Sequence, residues 1–398
     1  MEKTRKKIVF DKGLMLIYIT YIFYFMHNGY NSFMSKYFGE IGISDSQIGI
    51  IFACAASFSS VCQPFFGSLT DRAKYKKTVL SIIMFVSSAM YFLTGLTTKF
   101  VPVLIGFTII NTLNINNMPG MNAISLEYTT KNDYGLFCDF GIIRMIGTVG
   151  YQLGALSCGI ILSGNLRNLM FLMGAVIFTA GFLNLFMPKV EGHQHKGESV
   201  SYFELFKDKR VVMLFLMIFL AEITQQFNDS FLGKLQGDLG MSNSATGIIT
   251  VFSIALEIPA CFFAQRIYKK LAIWWWLLIA FVVTGARWLA YSGAKTAIDF
   301  ILIGLPGVTV MICFELFPAI YLNEIIEDKL KASAQGALSI ITFGIPKVIG
   351  CLTGGFLAEA MGIQTVYRLN GILIFILAAL FVVPCRKRAL SEKQIKAD

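Results

Sequence analysis

Five ionisable residues sit deep inside long apolar runs of this chain: Arg144, Glu257, Arg287, Glu315 and Lys347. A charge near a bilayer centre costs roughly 2.5–3.5 kcal/mol on insertion scales, so a chain keeps one only where it is paired or lines a wet cavity. Arginine can clamp the oxygens of a solute or hold a carboxylate. Glu257 and Glu315 can take up and release protons, with burial and nearby cations acting on them in opposite senses. IIRMIG at 142–147 echoes IPKVIG at 345–350, which sets Arg144 and Lys347 at matching places in two copies of one pattern. The chemistry on offer is solute binding and proton exchange.

Uncharged polar residues extend the candidate site. Tyr24, Asn28 and Asn31 share one helical face, with His27 beside them. NTLNINNMPGMN carries Asn111, Asn114, Asn116, Asn117 and Asn122 around a Pro-Gly pair. A further apolar run holds Glu222, Gln225, Gln226, Asn228 and Asp229. Amides facing lipid would be expensive, whereas beside a cavity they bind polyhydroxylated or amide-bearing solutes. The substrate-binding candidates here are His27, Asn28, Asn31, Asn114 and Asn117, then Gln225 and Asp229. Arg144, Arg287 and Lys347 supply cations, and Trp288 offers an apolar face beside Arg287.

The elements that must position these residues are membrane helices. The 398 residues are 56% hydrophobic and only 15% charged, with a mean hydropathy of +0.66. Soluble domains are nearer half apolar and about a quarter charged, and about 20 apolar residues in a helix span a bilayer core. Boundaries drawn at charges, Gly/Pro and polar loops give twelve spans: 13–38, 44–70, 77–97, 100–127, 136–163, 167–187, 210–237, 243–266, 271–292, 297–324, 332–359 and 363–384. The polar stretch after residue 187 divides them. The expected organisation is a six-helix bundle over 1–187, a cytoplasmic linker over 188–209, and a second bundle with a short tail over 210–398. GISDSQIGII at 42–51 and GMSNSATGII at 240–249 open the second helix of each half in the same way, a trace of duplication. The Gly- and Ala-rich stretches GTVGYQLGALSCG and GCLTGGFLAEAMG would let helices approach closely.

Charge sets topology. Of the loop Lys and Arg residues, Lys36, Lys99, Arg167, Lys234 and Lys295 alone fall on one side, which puts both termini in the cytoplasm of a cell-membrane protein. The net charge of +10 therefore reflects anionic lipid, not nucleic acid. The eight cysteines form no Cys-x-x-Cys pair, His193 and His195 stand in the linker, and no metal or cofactor is expected. No P-loop, zincin or nucleophile-elbow motif is present, so the chain reads as a transporter and not an enzyme.

PFFGSLTDRAKYKK at 64–77 resembles the signature of the major facilitator superfamily, Gly-x-Leu-Ala-Asp-Arg-x-Gly-Arg/Lys-Lys, with Lys74 and Thr70 replacing its second Gly and its Ala. That resemblance implies a twelve-helix fold of two pseudo-symmetric bundles and alternating access, with Gly67, Asp71 and Arg72 in cytoplasmic gating. DFGIIRMIGTVGY, ALEIPACFF and TGARWLAYS are similar to segments of the oligosaccharide:proton symporters, the lactose permease group. They place Arg144 at that group's sugar-binding arginine, Tyr151 at its stacking tryptophan, Glu257 at its eighth-span carboxylate and Arg287 at its ninth-span arginine. The phenylpropionate permease group shares this pattern. Two features depart from it. The fourth-span sugar-binding carboxylate is missing, Glu127 lying about one turn further on, and VMICFELFP offers Glu315 without the group's histidine. The expected function is import of a small polar solute, a sugar or glycoside, by a monomeric proton symporter, with Glu257 and Glu315 coupling protons. Organic acids, nucleosides and drug efflux are the alternatives.

Overall fold

The computed structural model describes residues 11–131, 140–190 and 202–395, and every regular element among them is helical. Nine of these described helices are long and apolar enough to cross a membrane: Asp45–Thr70, Lys76–Gly95, Phe100–Thr130, Leu169–Phe186, Lys209–Asp238, Ile273–Tyr291, Ala297–Ile325, Ser333–Met361 and Ile363–Ser391. The other expected spans are helical as well. Residues 13–38 form Lys12–Tyr30, a short 3₁₀ turn and Met34–Glu40. Residues 136–163 give Phe140–Ile161. Residues 243–266 are split into Asn243–Ile254 and Glu257–Tyr268. The interruption at 255–256 lies four residues ahead of Pro259, which has no N–H for Ala255.

Two compact units emerge. One comprises Met1–Ile43, Cys54–Lys196 and Ser242–Ile248; the other comprises Ser44–Ala53, Gly197–Met241 and Ile249–Asp398. Each repeats one packing scheme. In the first, Lys12–Tyr30 packs on Phe140–Ile161, and Lys76–Gly95 on Leu169–Phe186. In the second, Lys209–Asp238 packs on Ile345–Met361, and Ile273–Tyr291 on Ile363–Ile395. Glycine brings the first pair in each unit together: a Cβ on Gly154 would land on the Met26 carbonyl oxygen, and one on Gly350 on that of Ile223.

The duplicated phrase is a structural device. Gly42 and Gly240 end their helices with positive φ, 87° and 73°. Behind each, the same long backbone bond closes the turn, Ile43 N to Phe38 O and Met241 N to Gln236 O, both 3.0 Å. Glycine is required there because a side chain resists the left-handed region. The residues that follow each turn, Ser44–Ala53 and Ser242–Ile248, fall in the unit opposite to the rest of their sequence halves. Ser44 Oγ and Ser46 N each donate to Glu359 Oε2 at 2.8 Å, and Lys234 Nζ lies 3.6 Å from Asp45 Oδ1. Asn243 Nδ2 donates to Leu162 O at 2.6 Å, and Ser244 Oγ to Gly159 O at 3.0 Å.

Candidate functional site

The polar residues of the first unit differ in how far they are buried. His27 is 2% exposed, and its Nε2 lies 2.9 Å from Tyr91 Oη, with the rings edge to face. It belongs to helix packing. Asn116 Nδ2 donates to Thr70 Oγ1 at 2.7 Å, and Asn111 to its own helix at Phe107 O. Asn117 is buried and donates to Asn114 Oδ1 at 2.7 Å, leaving Asn114 half-buried. Asn31 and Arg144 are exposed, and Asn28 is half-buried. The Arg144 guanidinium stands 5.6 Å from the Phe25 ring centre. Half-buried Tyr151 shares a 2.9 Å hydrogen bond with Ser32 Oγ.

Pro119 explains why these asparagines gather. It leaves Ile115 without its helical donor, and the span breaks between Phe100–Asn114 and Asn117–Lys131. A break inside a membrane span is tolerated where side chains or a wet cavity satisfy the freed groups.

The second unit is built around Asp229. This exposed carboxylate, in mid-helix, accepts from Gln225 Nε2 at 2.8 Å and Asn228 Nδ2 at 3.1 Å. Tyr367 Oη in turn donates to Asn228 Oδ1 at 3.0 Å. Lys347 and Arg287 act on Asp229 electrostatically, and Asp229 acts on Glu257. Lys347 and Glu257 are half-buried, and Glu257 starts the helix after the 255–256 break. Glu315, also half-buried, lies in a π-helical turn, Ile312–Leu316, just ahead of Pro318. A second π-turn, Ile340–Gly344, precedes Pro346 and Lys347. Such turns concentrate at functional sites.

Arg287 and Trp288 are largely committed. Arg287 is 8% exposed; its Nε donates to Ile303 O at 3.1 Å, and its guanidinium lies 5.1 Å from the Trp288 ring and 5.9 Å from Tyr291. Trp288 is fully buried and donates from Nε1 to Thr224 Oγ1 at 3.0 Å. Inside the unit its ring stacks on Tyr291 and meets Tyr367 at a tilt of 51°.

Within the signature loop, Gly67 has only Asn116 Oδ1 nearby, 3.9 Å from where a Cβ would lie, and Arg72 is exposed. The side chain of Asp71 lies outside the described residues, as do Asp139, His193 and His195. The loop is laced to the sixth span by the signature's closing lysine and by Asn184, which motif reading passes over. Lys77 Nζ donates to the carbonyls of Leu185 and Met187 at 2.8 and 2.6 Å, and Asn184 Nδ2 to Lys77 O and Ser81 Oγ, both at 2.8 Å. The sequence reading also gave no separate role to Glu222 and Gln226. Their signal was Pro346, whose missing N–H leaves the Thr342 carbonyl for Gln226 Nε2, 3.2 Å away.

The model of the MFS_1 like family matches residues 14–369. A putative nucleoside transporter, YegT of Escherichia coli, is 25% identical over 393 residues, covering 90% of both chains. The lactose permease of Citrobacter freundii is 25% identical, covering 83% of this chain and 84% of its own. The crystal structure of the nucleoside transporter NupG superposes with a TM-score of 0.81 at 16% identity, covering 94% of this chain and 99% of that one. That last likeness speaks for the fold.

Proposed function

We propose that this chain, which belongs to the MFS_1 like family and is a multi-pass secondary transporter and not an enzyme, imports a glycoside together with protons, nucleosides being the first candidates. The observation that carries the reading is Asp229. A carboxylate presented in mid-span by two amides, and not buried in an ion pair, can accept two hydroxyls of a sugar ring at once. Arg144 over Phe25 adds a cation on an aromatic shelf, a surface suited to a planar ring. The nucleoside preference within this class is supported by the likeness to YegT, and a disaccharide is the second reading, supported by the likeness to a lactose permease.

Roles follow from exposure. Within the first unit the solute-binding candidates are Asn28, Asn31, Asn114, Arg144 and Tyr151. Within the second they are Asp229, Gln225 and Lys347. His27, Asn117, Arg287 and Trp288 act by holding the helices that carry these groups. Glu257, at a helix start beside Asp229, and Glu315, in a π-turn, are the carboxylates placed to exchange protons. Gly67, Asp71 and Arg72 serve gating at the cytoplasmic face of the cell membrane, with both termini on that side and the monomer as the working form.

The test is uptake of labelled uridine and of lactose into proteoliposomes, with and without an inward proton gradient, comparing wild type with Asp229→Asn, Arg144→Ala and Glu257→Gln. Gradient-dependent uridine accumulation, lost in all three, is the expected result. Lactose accumulation without uridine would move the assignment to the disaccharide reading. Uptake indifferent to the gradient would remove proton coupling.

A further inference from the structure

Glu222 lies in the middle of Lys209–Asp238 and is 2% exposed. Its Oε2 faces Gln226 Nε2 at 3.4 Å. That same nitrogen donates to Thr342 O at 3.2 Å, so its two hydrogens are divided between a carboxylate and a backbone oxygen. The Thr342 carbonyl belongs to the π-turn Ile340–Gly344, immediately before Pro346 and Lys347. One amide therefore ties a buried carboxylate to the turn that sets where Lys347 stands.

The surroundings of Glu222 are acidic. The charged groups that act on it are Glu315, from the other π-turn, and Asp229, two turns along its own helix. Ile345–Met361, packed on the same helix, brings Lys347, which acts on Asp229. Ile363–Ile395 brings Tyr367, occupied by Asn228. Among the described residues no cation is placed against Glu222, so the charge at this point changes by arrival or departure of a proton.

We propose that Glu222 takes up and releases a proton during the transport cycle, and that its protonation state makes or breaks the Gln226 bridge to the π-turn. The proposal rests on the proton-coupled reading above. The ionised carboxylate accepts from Gln226 Nε2 while that nitrogen also holds Thr342 O. A proton from water on Oε2 turns the acceptor into a donor. Gln226 then rotates to present its amide oxygen, which sets that oxygen against the Thr342 carbonyl and breaks the bridge. Release of the proton to water restores it. Glu222 is thus a positioning residue acting on Lys347, and it makes no bond to solute.

Infrared difference spectra between acid and neutral pH, on the purified full chain, test this without any solute. Wild type should show a carboxylic-acid carbonyl band that Glu222→Gln loses. Glu222→Asp, which keeps a titrating group if the glutamine variant does not fold, should shift the band. Gln226→Leu should shift it too, as only a bonded neighbour would. In proteoliposomes, Glu222→Gln should lose gradient-driven uridine accumulation and keep uridine counterflow. A spectrum in which neither Glu222 variant alters any carboxyl band, or a Glu222→Gln protein that still accumulates uridine against its gradient, overturns the proposal. Wild type that ignores the proton gradient overturns the symport reading, while the infrared result decides Glu222 on its own.

Discussion

Replacing Arg287 by lysine and by alanine separates a structural arginine from a solute-binding one. A hydrogen bond to a charged group contributes about 1.5–3 kcal/mol, and the Nε bond to Ile303 O at 3.1 Å is one such bond. Each cation–π contact adds about 0.5–2 kcal/mol, and the guanidinium faces two rings at 5.1 and 5.9 Å. The sum is roughly 2.5–7 kcal/mol, set against a desolvation cost of several kcal/mol for holding the charge out of water. Arg287→Ala removes both sides of this balance and should destabilise by about 1–3 kcal/mol, much of it from the Ile303 carbonyl left without its donor. Arg287→Lys keeps most of the desolvation cost, loses the Nε bond and loses the planar stacking. Lysine should therefore be no better than alanine, although it preserves the charge. Thermal unfolding of the purified protein, followed by size-exclusion chromatography with fluorescence detection, gives the ranking. A lysine variant as stable as wild type would refute the structural assignment. An alanine variant of full stability that no longer binds solute would return Arg287 to the binding site.

Three further outcomes are expected in the same assay. Gly154→Ala and Gly350→Ala should each lose stability, because overpacking of about 1–3 kcal/mol outweighs the gain of about 0.5–1 kcal/mol from replacing a helical glycine; a stability gain in either would mean the helix pair is looser than described. Gly42→Ala, at φ 87°, should cost about 1–2 kcal/mol, whereas Gly164→Ala, with open space around it, should be near neutral; equal effects would remove the left-handed turn from the account. Asp208 caps Lys209–Asp238 by accepting from Arg210 N at 2.7 Å, so Asp208→Ala should cost about 1 kcal/mol and Asp208→Asn less. Partial burial pushes the Asp208 carboxyl up, but hydrogen bonds from Arg210 outweigh it and hold the group below its ordinary value of 3.8. Its small contribution is complete above that value and lost as pH falls through the depressed one. An acid-stability profile unchanged in Asp208→Asn would contradict this.

The apolar helical spans and the repeated phrase were readable in the sequence, because each rests on local pattern: apolar length, and the same glycines and serines recurring at one offset. Which polar residue meets which was not. His27 finds Tyr91, Trp288 finds Thr224 and Asn228 finds Tyr367, partners 64, 64 and 139 residues away. Hydrophobic periodicity usually tells a buried face from a wet one. Here the lipid side is as apolar as the core, as Phe58, Val61, Leu96 and Leu380 show by lying exposed. A polar stripe therefore reads as "away from lipid" without saying whether it meets another helix or a solute. The same ambiguity makes His27, Trp288, Asn31 and Asp229 read alike in the sequence.

Proline resolves part of that ambiguity, though only in company. Pro119, Pro259, Pro306, Pro318 and Pro346 all stand at or just after helix breaks or π-turns. Asn114 and Asn117, Glu257, the Arg287–Ile303 bond, Glu315 and Lys347 lie beside those same interruptions. Pro64 and Pro384 stand inside continuous helices, Asp45–Arg72 and Ile363–Ile395. The residue four before Pro384 is exposed Leu380, and that before Pro64 is Ser60, whose hydroxyl donates to Ala56 O one turn earlier. The residue four before Pro346 is Thr342, whose carbonyl finds Gln226; that before Pro306 is Leu302, and Arg287 donates one residue further on, at Ile303 O. A missing N–H thus permits a break or π-turn without dictating one, and at Pro346 a side chain from a neighbouring helix replaces the lost donor. On this argument Gln226→Leu should let the π-turn before Pro346 relax toward a continuous helix. Cysteine accessibility at Lys347→Cys, compared between the wild-type and Gln226→Leu backgrounds, reads that change directly, and equal labelling in both would show that proline alone sets the turn.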